Sequence, residues 1–267
     1  MKASVHIEVA AQGSGTFLKK AYFETPFKLA NVTEDKEVNP LELMLMSCSP
    51  GILDEDDYVF KIDVGQNAAL YLQTQAYQRI FHMKKSARQE LKVNLNKGSS
   101  FCFLPHPTVP HEQSDFTSCN NFYLADNCRF IFGEVLTCGR KLNGEVFLFT
   151  KYQSISSVFL NNKLIIKENL LMMPSFINVA AMGQMEGYTH QAGFIYLQQT
   201  VNMEDIQQQV LNLLAAESDI EFGTSILPAN GLIIRLLGKG AEQLYNCLLR
   251  INAILPQQTV NTLHHVS

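Results

Sequence analysis

The sequence predicts a mainly β protein of layered or β-helix-like sheets that ends in a small αββα portion containing two helices. Three observations lead there. Short runs that alternate apolar and polar residues, with turn residues between them, fill the chain from residue 3 to about 198. A polar turn, a small residue and an apolar strand recur together about every 30 residues, as in stacked coils sharing one core. Beyond residue 200 the apolar period lengthens to that of a helix. An ordinary β-sandwich satisfies the first observation as well.

Taken in order, residues 60–64 alternate and stop at Gly65-Gln66-Asn67, and residues 69–75 form the next strand. Residues 91–95 alternate up to the turn at 96–99. Residues 101–104 are apolar throughout and are stopped by Pro105, which cannot donate to a ladder. Residues 122–124, the turn Ala125-Asp126-Asn127 and residues 129–132 repeat the scheme. Residues 146–152, 157–160 and 163–168 continue it, and Asn161-Asn162-Lys163 makes a tight hairpin connection. The stretches DVGQNAALYL, NLNKGSSFCFL, YLADNCRFIF and FLNNKLII carry the shared pattern. Met203, Ile206, Val210, Leu213 and Leu214 then fall on one helical face, with Glu204 and Asp205 suited to the helix N-terminus. Strands follow around residues 220–222 and 232–237. A second helix aligns Leu244, Leu248, Ile251 and Leu255 and stops at Pro256. Residues 1–198 thus form a β body, and residues 199–267 a C-terminal α/β module packed on its end, as one structural unit.

Composition narrows the function. Hydrophobic residues at 46% against 17% charged describe a globular chain rather than a disordered one. A net charge of −4 argues against nucleic acid, whose phosphates need clustered Lys and Arg. No apolar run is long enough to span a membrane, and the N-terminus lacks the apolar stretch of a signal peptide, so a cytoplasmic protein is expected. The six cysteines form no CxxC or zinc spacing, which suggests reduced, mostly buried thiols; Cys138 beside Gly139 is the one to examine. GxSxG, HExxH, P-loop and GxGxxG motifs are all lacking, so no enzyme class is indicated. The seven histidines show no i, i+4 pair. His106 and His111 flank the stiff segment Pro107-Thr108-Val109-Pro110, which could display both imidazoles to a metal or simply be a polar surface loop. His264-His265 reads as a frayed tail. Asp54, Glu55, Asp56 and Asp57 follow Ser49-Pro50-Gly51-Ile52; their spacing is not that of a calcium loop, which needs alternating ligands and a central Gly.

Several blocks then fall into a familiar order. They are Thr25-Pro26-Phe27-Lys28-Leu29; Ser49-Pro50-Gly51-Ile52 with Asp56 and Ile62-Asp63-Val64-Gly65; Gln73-Thr74-Gln75-Ala76-Tyr77; and Leu104-Pro105 with Thr108-Val109-Pro110. After them come residues 132–140, ending in Cys138-Gly139-Arg140; Glu186-Gly187-Tyr188-Thr189-His190; and the strand at 232–237 with its following helix. The series resembles the urease accessory protein family UreD, called UreH in Helicobacter.

The resemblance implies a largely β fold and a non-enzymatic role in maturing the urease nickel centre. Its partners would be UreF, the GTPase UreG and the urease apoprotein, with nickel in transit and no tightly bound cofactor. Asp56, Glu134 and His190 are candidates for a transient nickel route, and Tyr77, Arg79 and Arg140 for partner contact. Glu134 and Arg140, in or beside an apolar strand, either pair with each other or line a watery passage, because a lone buried charge is costly. His190 is otherwise a satisfied structural histidine, and Asp56 a turn cap. One departure stands out: Asp54 and Glu55 occupy positions where the family has glycines, and acids tolerate left-handed backbone poorly. A moving ion needs weak, exchangeable oxygen or imidazole ligands, so a chain without clustered Cys and His suits a conduit better than a store. Two other readings are a stand-alone nickel-binding protein and a β-helix-type carbohydrate-active enzyme using acids such as Asp54 and Asp56; the latter would need carboxylates held across a cleft.

Overall fold

The computed structural model describes residues 1–34 and 40–257. The His264-His265 pair lies outside the described residues. The strands of the first half are β1 (Lys2–Gln12), β2 (Gly15–Phe23), β3 (Phe27–Asn31), β4 (Leu41–Ser47), β5 (Asp57–Val64), β6 (Ala69–Thr74), β7 (Gln78–Ile80), β8 (Ala87–Leu95), β9 (Ser100–Phe103) and β10 (Thr108–Pro110). The second half adds β11 (Asp115–Leu124), β12 (Arg129–Thr137), β13 (Lys151–Leu160), β14 (Lys163–Met172), β15 (His190–Gln198), β16 (Ile220–Leu227) and β17 (Gly231–Gly238). Helices α1 (Met203–Ala215) and α2 (Ala241–Ile254) flank the last strand pair.

The chain winds as a coil that contributes one strand to each of two facing sheets per turn. In the first sheet β1, β5, β8, β11 and β13 run parallel side by side, with β2 and β14 added antiparallel at the edges. In the second, β4, β6, β9 and β12 run parallel; β3 closes one edge, and β15, β17 and β16 extend the other antiparallel. Leu41 pairs with Leu70, Leu70 with Phe101 and Phe101 with Phe130, so the period of about 30 residues read from the turns is the length of one coil. A short third side carries Ile52, β7 and β10. There a Cβ on Gly51 would collide with the Arg79 carbonyl, which accounts for the glycine after Pro50.

The turns between the sheets are stacked copies. Asn67, Gly98 and Asn127 each take a left-handed backbone at the same place in successive coils, a conformation that Gly and Asn adopt at least cost. Each turn hands its N–H to the next, Asn67 to the Lys97 carbonyl and Gly98 to that of Asp126. The small residues after them, Ala68, Ser99 and Cys128, are buried beneath the corner. Asn161 and Asn162 are also left-handed and join β13 to β14 as a two-residue hairpin.

Inward-facing residues of both sheets build one core, including Ile7, Ile62, Val93, Phe122, Leu72 and Phe130. The opposite face of the second sheet is covered by the helices. Met203, Ile206, Val210 and Leu214 of α1, and Leu244, Leu248 and Ile251 of α2, meet Ile131, Phe194, Tyr196 and Ile234 there. Both apolar stripes lie where the sequence placed them. The helices rest across the sheet's face rather than at the end of the β body, and β17 hydrogen-bonds to β15, so the second sheet continues without a break past residue 198.

One expected strand is not formed. Residues 146–150 are apolar but run as a loop, with Phe147 left-handed and Val146 and Leu148 exposed. Their backbone bonds go to the loop before β11: Gln113 donates to the Leu148 carbonyl and Thr150 to that of Ser114, so no ladder can form until Lys151.

Candidate functional site

Between the sheets lies a cavity of about 410 Å³. Tyr77, Gln78 and Arg79 stand at its surface side together with Pro50 and His106, and Glu134 lies at its inner limit. The wall on the first sheet is polar where a core would be apolar. On β11 the inward positions are Phe116, Ser118, Asn120 and Phe122, and on β13 they are Tyr152, Ser154, Ser156 and Val158. The register sets Ser118 beside Gln89 and Ser154, and Asn120 beside Ser156, which in turn pairs with Glu168 of β14. Two polar rungs therefore cross the inner face of this sheet.

The polar groups bond to one another, as buried polar atoms must. Gln78 donates to Gln89 at 3.0 Å, Ser118 to Asn120 at 3.2 Å and Asn120 to Ser156 at 3.1 Å. Ser154 donates to the Glu134 carboxyl across the gap at 2.8 Å. Burial pushes the Glu134 pKa up to about 6; the nearby Glu168 carboxylate adds to this, while the Ser154 bond opposes it. A second, smaller cavity shares Phe132 and Glu134 as walls and is lined by Glu168 and Arg235, which pair at 2.6 Å. Glu134 is thus a wall shared by a cavity that reaches Arg79 and a smaller one lined by the Glu168–Arg235 ion pair.

The other candidate residues fall in different places. Asp56 is buried and saturated: it accepts from the N-terminal ammonium at 2.8 Å, from Leu53 N–H at 2.7 Å and from the Tyr58 hydroxyl at 2.6 Å. Burial pushes its pKa up, but these donors outweigh that and leave it lowered. Glu55 takes a left-handed backbone, φ 64°, so one of the two acids expected at glycine positions does occupy a place that suits glycine. The remaining acids of this run are tied to the next coil: Asp54 accepts from the N–H groups of Lys84 and Lys85, Glu55 pairs with Lys85, and Asp57 with Arg88.

His190 is buried at the start of β15 and is not among the residues lining either cavity. It hydrogen-bonds with Thr189 at 2.8 Å, and burial, with Lys141 nearby, lowers its pKa to about 4. Arg140 does not pair with Glu134; its guanidinium grips Glu145, because the chain turns away after Thr137 and brings Glu145 back beneath it. Arg140 and Arg79 both act on the charge of His111, which places them around one surface.

Of the two loop histidines, His111 is turned inward, while His106 is half-buried at the cavity's surface side. His111 packs against Phe81, and His106 lies against Tyr245 and hydrogen-bonds with Thr74. Burial lowers both pKa values. Cys138 is fully buried, and burial raises its pKa, so its thiol is poorly placed to react. Among the described residues no three His, Cys, Asp or Glu side chains gather as a metal-holding cluster. No described helix is long and apolar enough to cross a membrane.

Sequence reasoning singled out Glu134 but missed its partners Gln89, Ser118, Asn120, Ser154, Ser156 and Glu168. The available signal was parity: Ser and Asn occupy the same alternate positions as Phe116, Phe122 and Tyr152 in two adjacent strands.

Comparison with known proteins bears on what such a site is for. The model of the family described as UreD urease accessory protein matches residues 1–265. The chain is similar to urease accessory protein UreD of Flavobacterium johnsoniae, with 46% identity covering 88% of this chain and 86% of that one. It is 31% identical to UreD of Acetivibrio thermocellus across 95% of this chain and 97% of that protein. UreD of Haemophilus influenzae is 32% identical across 95% of this chain and 98% of its own. The chain belongs to the UreD family of urease accessory proteins.

Proposed function

We propose that this chain is a non-enzymatic conduit that passes nickel to apo-urease in a cytoplasmic complex with UreF and the GTPase UreG. The observation that carries the reading is a line of polar groups between the Tyr77–Arg79 mouth and Glu134, where Asn120 bonds Ser118 and Ser156 and Ser154 bonds Glu134, set inside an otherwise apolar layer. Buried polar groups weaken a core unless they have a use, and this line offers what a moving divalent cation needs. Its ligands are single carboxylate, hydroxyl and amide oxygens, which exchange faster than a closed set of thiolates or imidazoles. Glu134 is the interior ligand: a pKa near 6 leaves it mostly ionised at neutral pH, yet easily discharged once an ion departs. Asp56 and His190 serve the frame, one holding the acidic turn and the other the start of β15. Tyr77, Arg79 and Arg140 present the mouth and its surround to UreF.

The test is co-expression of the urease operon with this chain, without it, and with Glu134→Leu. Nickel per urease active site is expected to collapse without the chain. With Glu134→Leu it should fall at least about tenfold while UreF still co-purifies, if the lost carboxylate is the interior ligand. Full nickel loading in the absence of the chain overturns the proposal.

A further inference from the structure

A second cavity, of about 830 Å³, lies on the outer face of the second sheet, beside the end of α2 and away from the polar line. Its floor is one register row: Ala69 pairs with Ser100, Ser100 with Arg129, and Arg129 with Gln198. The two small side chains leave the space, and Arg129 fills only part of it. This arginine is 4% exposed. Its Nε donates to the Pro256 carbonyl at 2.9 Å, but Nη2, itself buried, has no hydrogen-bond partner. Among the described residues no carboxylate acts on the guanidinium; burial lowers its pKa, while Cys102 and Tyr196, the latter also through a side-chain hydrogen bond, partly oppose this. A buried cation without a counter-charge is among the costliest groups a fold can hold.

The neutral lining has a matching bias. Gln198 accepts from the Tyr196 hydroxyl, Gln199 from the Asn127 N–H and Asn252 from the Cys102 thiol. In all three the amide oxygen is used within the protein, which leaves the NH2 end as the group that can face a ligand. Lys97 adds a second cation to the lining. Among the described residues Glu42 is the single carboxylate there, and burial raises its pKa. The cavity is rich in donors, poor in acceptors, and of the size usual for small-molecule sites, about 300–1,000 Å³.

We propose that this cavity binds a small organic oxyanion, a carboxylate or a phosphate ester, held by Arg129 and by the amide donors of Gln198, Gln199 and Asn252. None of these residues belongs to the proposed nickel line.

The test uses the full chain, with succinate and glycerol 3-phosphate as probes and sodium chloride at matched ionic strength as the control. Saturable binding by calorimetry, with a rising melting temperature, is expected for at least one probe. The probe that responds identifies carboxylate or phosphate as the preferred chemistry. Arg129→Met should weaken binding at least about tenfold, the worth of a charge-assisted hydrogen bond. It should still fold, because an apolar side chain of similar volume replaces a buried unpaired charge. If it does not fold, Asn252→Asp decides: a carboxylate set into the cavity should occupy Arg129 and abolish binding. No response to either probe, or undiminished binding in the variants, overturns the proposal. So does a free chain that ignores both probes while Arg129→Met weakens a complex with a protein partner, since the anion would then be an acidic protein segment.

Discussion

Strand β12 shows two faces of one sheet put to opposite uses. Ile131, Gly133 and Val135 point toward the helices, and Phe130, Phe132, Glu134 and Leu136 toward the first sheet. Where α2 crosses β12, the helix side is apolar and close. A Cβ on Gly133 would lie 2.8 Å from Leu104 Cδ2 and 3.0 Å from Leu248 Cδ1, so the glycine is what lets α2 settle. Two residues away along the same face of the other side, space and hydrogen bonds replace contact. The difference lies within one strand: the helix layer fills its space with apolar side chains, and the inter-sheet layer leaves a cavity with bonded polar groups in its wall.

The largest loss is expected on the helix side. Leu248→Ala should cost about 2–5 kcal/mol, because α2 is pinned between the sheet and α1 and the gap cannot collapse. Urea midpoints of the two proteins would give the figure, and a loss well under 1 kcal/mol would mean the layer is looser than its burial implies.

Glu134 makes the inter-sheet layer sensitive to pH. Its folded pKa of about 6 lies above the ordinary 4.5, so the folded chain holds a proton that the unfolded chain has released. The stability this gives is complete below about pH 4.5 and is lost as pH rises through about 6, amounting to about 2 kcal/mol. His190 works in the opposite sense. Its folded pKa of about 4 lies below the usual 6.5, so its contribution is present above pH 6.5 and fades as pH falls toward 4. The two slopes oppose each other in wild-type protein. Glu134→Gln should therefore expose the histidine slope alone, and stability curves of both proteins from pH 4.5 to 7.5 should diverge by that amount. Parallel curves would place Glu134 in ordinary solvent.

The smallest effect belongs to the acidic turn. Glu55→Gly should stabilise the chain by up to about 1 kcal/mol, because glycine removes the strain of a left-handed acid and only an exposed ion pair with Lys85 is given up. A melting temperature that falls would show that the Lys85 pair or the unfolded chain's entropy outweighs that strain.

The parts of the fold legible in the sequence are those where a residue type answers a local need. Asn67, Gly98, Asn127 and the Asn161-Asn162 pair sit at left-handed positions, so their spacing announced both the coil and its hairpin. The helical stripes were equally plain, since one face of each helix had only apolar neighbours to meet. Residues 146–150 misled because apolarity alone does not say where backbone hydrogen bonds go. The site was half legible. A carboxylate inside the run Phe132-Gly133-Glu134-Val135 is conspicuous, but Ser118, Asn120 and Ser154 are ordinary residues until the register shows that they face inward together. Asp56 was conspicuous for the wrong reason: an acid in an acidic run looks available, and this one has three donors on it.

The antiparallel strands at the margins of the first sheet have one more consequence. A stack of parallel coils with repeated turns is, at either end, a template on which another such stack could grow, in the manner of a fibre. Here the chain folds back on itself at both ends, as β2 beside β1 and as β14 beside β13, and each returning strand carries lysines, Lys19 and Lys20 on one and Lys163 and Lys167 on the other. The hairpins act as terminators. They set how many coils the molecule has, and they keep an architecture built for indefinite repetition from polymerising.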